Sequence, residues 1–191
     1  MLETKLRLSL KDQGRLLTDE EFAQAECDAP YRYERVEGRL VVMSPSGKTH
    51  LGLVWAVVKE LSLYDAAHPG MIEMAATEAW IRTGEGQDRM ADVGVYLTED
   101  EPQSDQQYER IPRVVFEVVS RGSEERDYIL KRGEYFDLGV AEYVIVDPFR
   151  KVVTVLSHGE GDYLARELRE GDVYTSDQLP EFEVRITDLR W

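Results

Sequence analysis

The chain has 191 residues, 42% of them hydrophobic, enough for a real core within one domain, so wholesale disorder is excluded. Its 38 Asp and Glu outnumber 23 Lys and Arg, and the net charge of −15 opposes long-range attraction to a polyphosphate. One cysteine excludes an internal disulfide, and His50, His68 and His158 lack zinc-ligand spacing.

In chain order, the start "MLETKLRLSLKDQG" shows no basic segment leading into an apolar one, and no later run approaches the ~20 residues of a membrane span. A cytoplasmic protein without a membrane partner is expected. Thr18 begins a capping-box pattern with Glu21, which predicts a first helix to about Cys27. "YRYERVEGRLVVMSP" predicts two strands around Glu37 and Gly38. From Gly47 to about Leu63, apolar residues at 51, 54, 55, 58 and 61 have helical spacing. Strands are expected over 71–81 and 90–97, with "RTGEGQDR" as the turn between them. A strand over 113–119 is followed by a helix capped by Ser123 and ending before Gly139. "AEYVIVD" and "KVVTVLS" form a hairpin signal, and the tail holds short strands. This pattern predicts an α/β chain with one central sheet, residues 1–191 forming a single domain with its core over about 17–156.

Charge is unevenly spread. Residues 98–109 carry five acids and no base and read as a solvated loop, whereas 110–132 carry six Lys or Arg against four acids.

Two acids stand where strands should be apolar. Glu117 interrupts "VVFEVVSRG", and Asp92 precedes Val93, Val95 and Leu97 in "MADVGVYL". A carboxylate buried there is costly unless it is paired, hydrogen-bonded or bound to a cation. Side by side, the two would repel unless one is protonated or a divalent cation lies between them. Mg²⁺ is commonly held by one or two carboxylates with water and phosphate oxygens.

The remaining candidates carry weaker signals. Asp127, Lys131 and Tyr135 recur at i, i+4, i+8 and share a helix face. Ile129, Phe136 and Leu138 form the opposing stripe expected to meet the core. Alone, Lys131 reads as a surface ion pair with Asp127, and Glu34 as a solvent-facing strand acid. His50 could approach the site from the start of its helix.

Three stretches carry a resemblance: "YRYERVEGRLVVMSPSGKTH", "ADVGVYL" and "VVFEVVSRGSEERDYILKRGEYFDLGVAEYVIVDPFRKVVTVL". In order, they resemble the motifs of the Uma2 family, also called DUF820, whose members are read as endonucleases. The 113–149 block is the most specific part. The resemblance implies a PD-(D/E)XK, restriction-endonuclease-like core: a central mixed sheet flanked by helices, with extra N- and C-terminal strands. It implies catalytic residues Glu34, Asp92, Glu117 and Lys131, with Asp92 and Glu117 holding Mg²⁺ or Mn²⁺. Ala91 stands where the family has proline. Val119 stands where the wider superfamily has its lysine, so Lys131, from the next helix, is the expected substitute. Nucleic acid, DNA first, is the implied partner. A nuclease fold that binds without cutting is the alternative, and a homodimer through strand pairs such as 142–156 is a further expectation.

Overall fold

The computed structural model describes residues 5–98, 110–189 and 191. The acidic stretch read as a loop lies outside the described residues from 99 to 109. Strand β1 (Arg7–Leu8) pairs in parallel with β2 (Glu26–Cys27), and helix α1 (Asp19–Gln24) lies between them in sequence. The capping box forms: Thr18 Oγ1 accepts the Glu21 N–H at 3.1 Å, and Glu21 accepts the Thr18 N–H at 2.8 Å. β3 (Arg32–Val36) and β4 (Arg39–Met43) make a hairpin whose turn residues, Glu37 and Gly38, both have positive φ. That geometry matches the twist of the flanking strands.

Next come α2 (Lys48–Ala67), β5 (Ile72–Gly84), β6 (Gln87–Leu97) and β7 (Val114–Val118). A π-helical turn, Arg126–Leu130, leads into α3 (Lys131–Leu138), which Gly139 ends in the left-handed conformation. β8 (Glu142–Asp147), β9 (Val152–His158) and β10 (Tyr163–Leu168) follow, and β11 (Val173–Thr175) pairs with β12 (Glu183–Arg185) in a separate hairpin. The main sheet runs β10-β9-β8-β7-β6-β3-β4, with β5 also on β6. β7 and β8 are parallel and the other pairs antiparallel, so the sheet is mixed, as expected.

Alternation along β7 sorts its side chains between two layers. Val114, Phe116 and Val118 join Leu53, Val57, Leu61 and Tyr64 of α2 in one core. Val115 and Val119 join Tyr135, Tyr143 and Ile145 in another, on the α3 side. Glu117 shares the parity of Val115 and so belongs to the α3 layer. Each buried Val or Leu here contributes about 1.5–3 kcal/mol from burial.

Four expectations need correction. The turn after β5 is confined to Glu85 and Gly86, because Arg82 and Asp88 pair across the hairpin at 3.0 Å and extend both strands. The buried stripe of α2 is His50, Leu53, Val57, Leu61 and Tyr64, while Leu51 and Trp55 are exposed. The helix after β7 buries its polar face: Asp127, Lys131 and Tyr135 are inside and Ile129 is exposed, though Phe136 and Leu138 do pack at the core edge. Finally, β8 and β9 are flanked by β7 and β10, so the 142–156 hairpin is interior to the sheet and offers no free edge for a second copy. Among the described residues no helix is long and apolar enough to cross a membrane.

Candidate active site

The β6–β7 ladder ends with Val93 against Phe116, one residue short of Asp92 and Glu117. Just beyond it the Val118 N–H donates to Asp92 Oδ2, which brings Asp92 to the end of β7 beside Glu117, and the charge of Asp92 is felt at the Glu117 carboxyl. Both acids are buried.

Each carboxylate already has a cationic neighbour. Lys131 Nζ donates to Glu117 Oε1 at 2.7 Å, and Tyr135 Oη donates to the same oxygen at 3.0 Å. Asp92 Oδ1 meets Arg32 at 2.7 Å and His50 Nε2 at 3.0 Å, and Oδ2 accepts the Val118 N–H at 2.8 Å. His50 spans two partners, because its Nδ1 lies 3.2 Å from the Ser120 hydroxyl.

Glu34 is fully buried rather than facing solvent. Its Oε1 lies 3.1 Å from Lys131 Nζ and accepts the Met90 N–H at 3.2 Å; its Oε2 meets Arg89 at 3.1 Å. Arg89 is fixed in turn by Glu134 from α3. Lys131 therefore bridges two acids and is not the surface partner of Asp127. Asp127 instead accepts from the Ser123 hydroxyl.

The electrostatics separate the three acids. Burial alone would raise Glu34, but Lys131 and Arg89 outweigh it and hold the carboxyl below its ordinary value. Burial is likewise overcome at Asp92, where His50, Arg32 and the Val118 N–H lower it to about 2. At Glu117 burial wins. Lys131 opposes it, but the charges of Asp92 and Asp127 add to it, and the carboxyl is pushed up to about 8. Lys131 is raised despite burial, because Glu117 and Glu34 surround it, and it stays cationic.

Among the described residues, no three or more His, Cys, Asp or Glu side chains form an all-protein metal cage. A hard divalent ion that keeps part of its water shell needs less. Glu117 Oε2 has no hydrogen-bond or ion-pair partner among the described residues. Asp92 Oδ2 accepts only the Val118 N–H. Those two oxygens are donors of the right kind, so the residues fit Mg²⁺ or Mn²⁺. The cation would have to compete with Arg32 for Asp92.

The structure joins Glu34, Lys131 and Glu117 through ion pairs and sets Asp92 beside them in a second cluster with Arg32 and His50. Sequence reading missed Arg32 and Arg89; it set Tyr135 on the face of Lys131 but gave it no role. A period-two signal for Arg32 was available: it alternates with Glu34 along β3.

The mixed α/β sheet with its flanking helices is similar to that of a solved structure. That structure, from Anabaena variabilis, is described as "a putative nuclease belonging to DUF820"; the two share 16% identity and a TM-score of 0.73, over 91% of this chain and 97% of that one. At that identity the likeness speaks for the fold. The chain belongs to the Uma2 family, whose model, described as "Putative restriction endonuclease", matches residues 19–187. No curated protein matches it.

Proposed function

We propose that this chain is a metal-dependent endonuclease that hydrolyses phosphodiester bonds of nucleic acid, DNA first, with Asp92 and Glu117 holding Mg²⁺ or Mn²⁺. The observation that carries this reading is the adjacency of Asp92 and Glu117 at the end of β7, with Lys131 bonded to Glu117 from the following helix. Family membership supports the nuclease class.

When bound, the cation would lower the pKa of water and polarise a phosphate oxygen. The protein's own part is positional. Glu117 releases the proton that burial favours, which leaves Oε2 free for ligation while Oε1 stays on Lys131 and Tyr135. Lys131, held between Glu117 and Glu34, orients the attacking water or opposes negative charge as it grows on the phosphoryl oxygens. Glu34 and Arg89 fix that ammonium in place. His50 and Ser120 set the rotamer of Asp92. In the reaction the water oxygen bonds to phosphorus, the bond to the leaving ester oxygen breaks, and that oxygen takes up a proton.

One observation favours binding without cutting: Asp92 and Glu117 are already neutralised by Arg32 and Lys131. Incubating purified protein with supercoiled plasmid, single strands and RNA across Mg²⁺ and Mn²⁺ concentrations separates the readings. Metal-dependent nicking that EDTA stops is expected. Retention of every substrate intact, with binding, would establish the alternative.

A further inference from the structure

Two clefts open beside the Asp92 site. One, of about 360 Å³, is lined by Arg32, Arg121 and Arg126 among small polar residues. The other, of about 500 Å³, is lined by Lys48, Arg121, Lys151 and Phe149. They share Gly47, Ser120 and Arg121, so they adjoin. His50 lines the second and touches both Ser120 and Asp92, which ties these walls to the carboxylates.

Among the described residues neither lining contains an Asp or Glu, although acids exceed bases by 15 over the whole chain. Three exposed cations of these walls have no carboxylate partner. Among the described residues, Lys48 and Lys151 form no ion pair, and Arg121 contacts only the Phe149 ring, at 5.1 Å. Nearby surface cations behave differently: Arg150 and Arg169 both pair with Glu167, and Arg132 with Asp162. Phe149 keeps half its surface exposed at the same place. A half-exposed ring with the Arg121 guanidinium over it, in a cleft also lined by Lys48 and Lys151, puts an aromatic surface among free cations. Cations that follow a phosphate backbone, with an aromatic face on which a base can stack, are the recognition pattern of an unpaired strand. A duplex would hide its base faces from Phe149.

We propose that the two clefts form one track for single-stranded nucleic acid, with Arg32, Arg121 and Arg126 on phosphates near the carboxylates and Phe149 stacking an unpaired base beyond them. This deepens the nuclease reading and rests on it for what happens to the strand. It also explains how a chain of net charge −15 holds a polyanion: the attraction is local, within about one Debye length of the track.

The test is fluorescence anisotropy with a labelled 20-nucleotide single-stranded DNA and its duplex, in EDTA, so that binding is measured apart from cleavage. The single strand should bind at least ~10-fold more tightly than the duplex. Phe149→Ala should weaken single-strand binding by ~10-fold, the scale of one lost stacking contact, and leave the duplex unchanged. Lys48→Ala with Lys151→Ala should reduce the salt slope by roughly 1.4, about 0.7 per lost contact. Lys59→Ala, whose cation pairs with Glu60 outside both clefts, is the control. Equal affinity for duplex and single strand, or no effect of Phe149→Ala, would overturn the track. Selective binding by a protein that cuts nothing would leave the track standing and remove the nuclease reading; cleavage unaffected by Phe149→Ala, without selective binding, would do the reverse.

Discussion

Lys131 reaches Glu117 at 2.7 Å from a helix that begins after β7, and the same ammonium lies 3.1 Å from Glu34 on a strand far earlier in the chain. Lysine and carboxylate meet because the helix turns its polar face, not its apolar one, onto the sheet. A buried ammonium between two acids is costly to form but costlier to break, since removing it strands both partners. Nothing about this pair resembles a surface salt bridge.

The first prediction follows. Lys131→Met should reduce cleavage by ~100-fold or more, the scale for losing one charge-stabilising donor. It should also cost about 3 kcal/mol of stability, where a surface pair would cost under about 1. Arg132→Met is the control, because Arg132 pairs with Asp162 at the exposed side of α3. Cleavage rates and thermal melts of both variants, under identical metal and salt, give the answer. Equal activity in the two would remove Lys131 from the chemistry.

Glu117→Gln should abolish metal-dependent cleavage and change how stability responds to pH. The folded carboxyl is raised from 4.5 to about 8, so between those values the native protein binds more protons than the unfolded chain. Metal-free stability from this group is therefore present below about pH 4.5 and is lost as pH rises towards 8. Glutamine does not titrate. The melting advantage of the variant over its parent, measured in EDTA, should grow from pH 5 to pH 8. A constant difference would show that Glu117 is not shifted, and full activity would exclude it as a ligand.

Much of this was legible from the residues, for reasons that differ by position. Asp92 and Glu117 stood out because each breaks an apolar strand, and burial of a carboxylate demands a cause. The helix after β7 was misjudged because pattern reading sends apolar residues inward, and here Asp127, Lys131 and Tyr135 are inside while Ile129 faces out. α2 carries apolar residues on nearly every side, so spacing alone could not choose between the Leu51 and Leu53 faces. Asp88 and Arg89 sit in a Gly- and polar-rich stretch that reads as a turn; as strand residues they hold Arg35, Arg82 and Glu34. Alternation puts Arg32 on the face of Glu34, but what it holds there is not written locally. Its partner, Asp92, is 60 residues away, and no local rule pairs them.

Glu34→Ala should lower the cleavage rate and spare Mn²⁺ binding. Its oxygens are occupied by Lys131, Arg89 and the Met90 N–H, so its effect reaches the site through the position of the ammonium. Isothermal calorimetry with Mn²⁺ should give an affinity within about threefold of the parent, since no ligand oxygen is lost. Complete loss of Mn²⁺ binding would make Glu34 a primary ligand and redraw the site.

Arg32 is the residue on which metal and protein compete. Its guanidinium lies 2.7 Å from Asp92 Oδ1, and together with His50 and the Val118 N–H it holds that carboxylate at about 2. A divalent ion approaching Asp92 meets a positive charge already in place, which weakens its binding by simple repulsion. Arg32→Ala should therefore tighten Mn²⁺ binding by roughly 10-fold, the direction set by removing a like charge within a few ångströms. Asp92 would still keep His50 and the backbone N–H, so the fold should hold. Substrate binding should move the opposite way, because the same guanidinium lines the arginine cleft. Calorimetry for Mn²⁺ and anisotropy for DNA in EDTA measure the two effects separately. Tighter metal with weaker DNA is the expected pair of results; an unchanged Mn²⁺ affinity would mean that the cation does not use Asp92 at all.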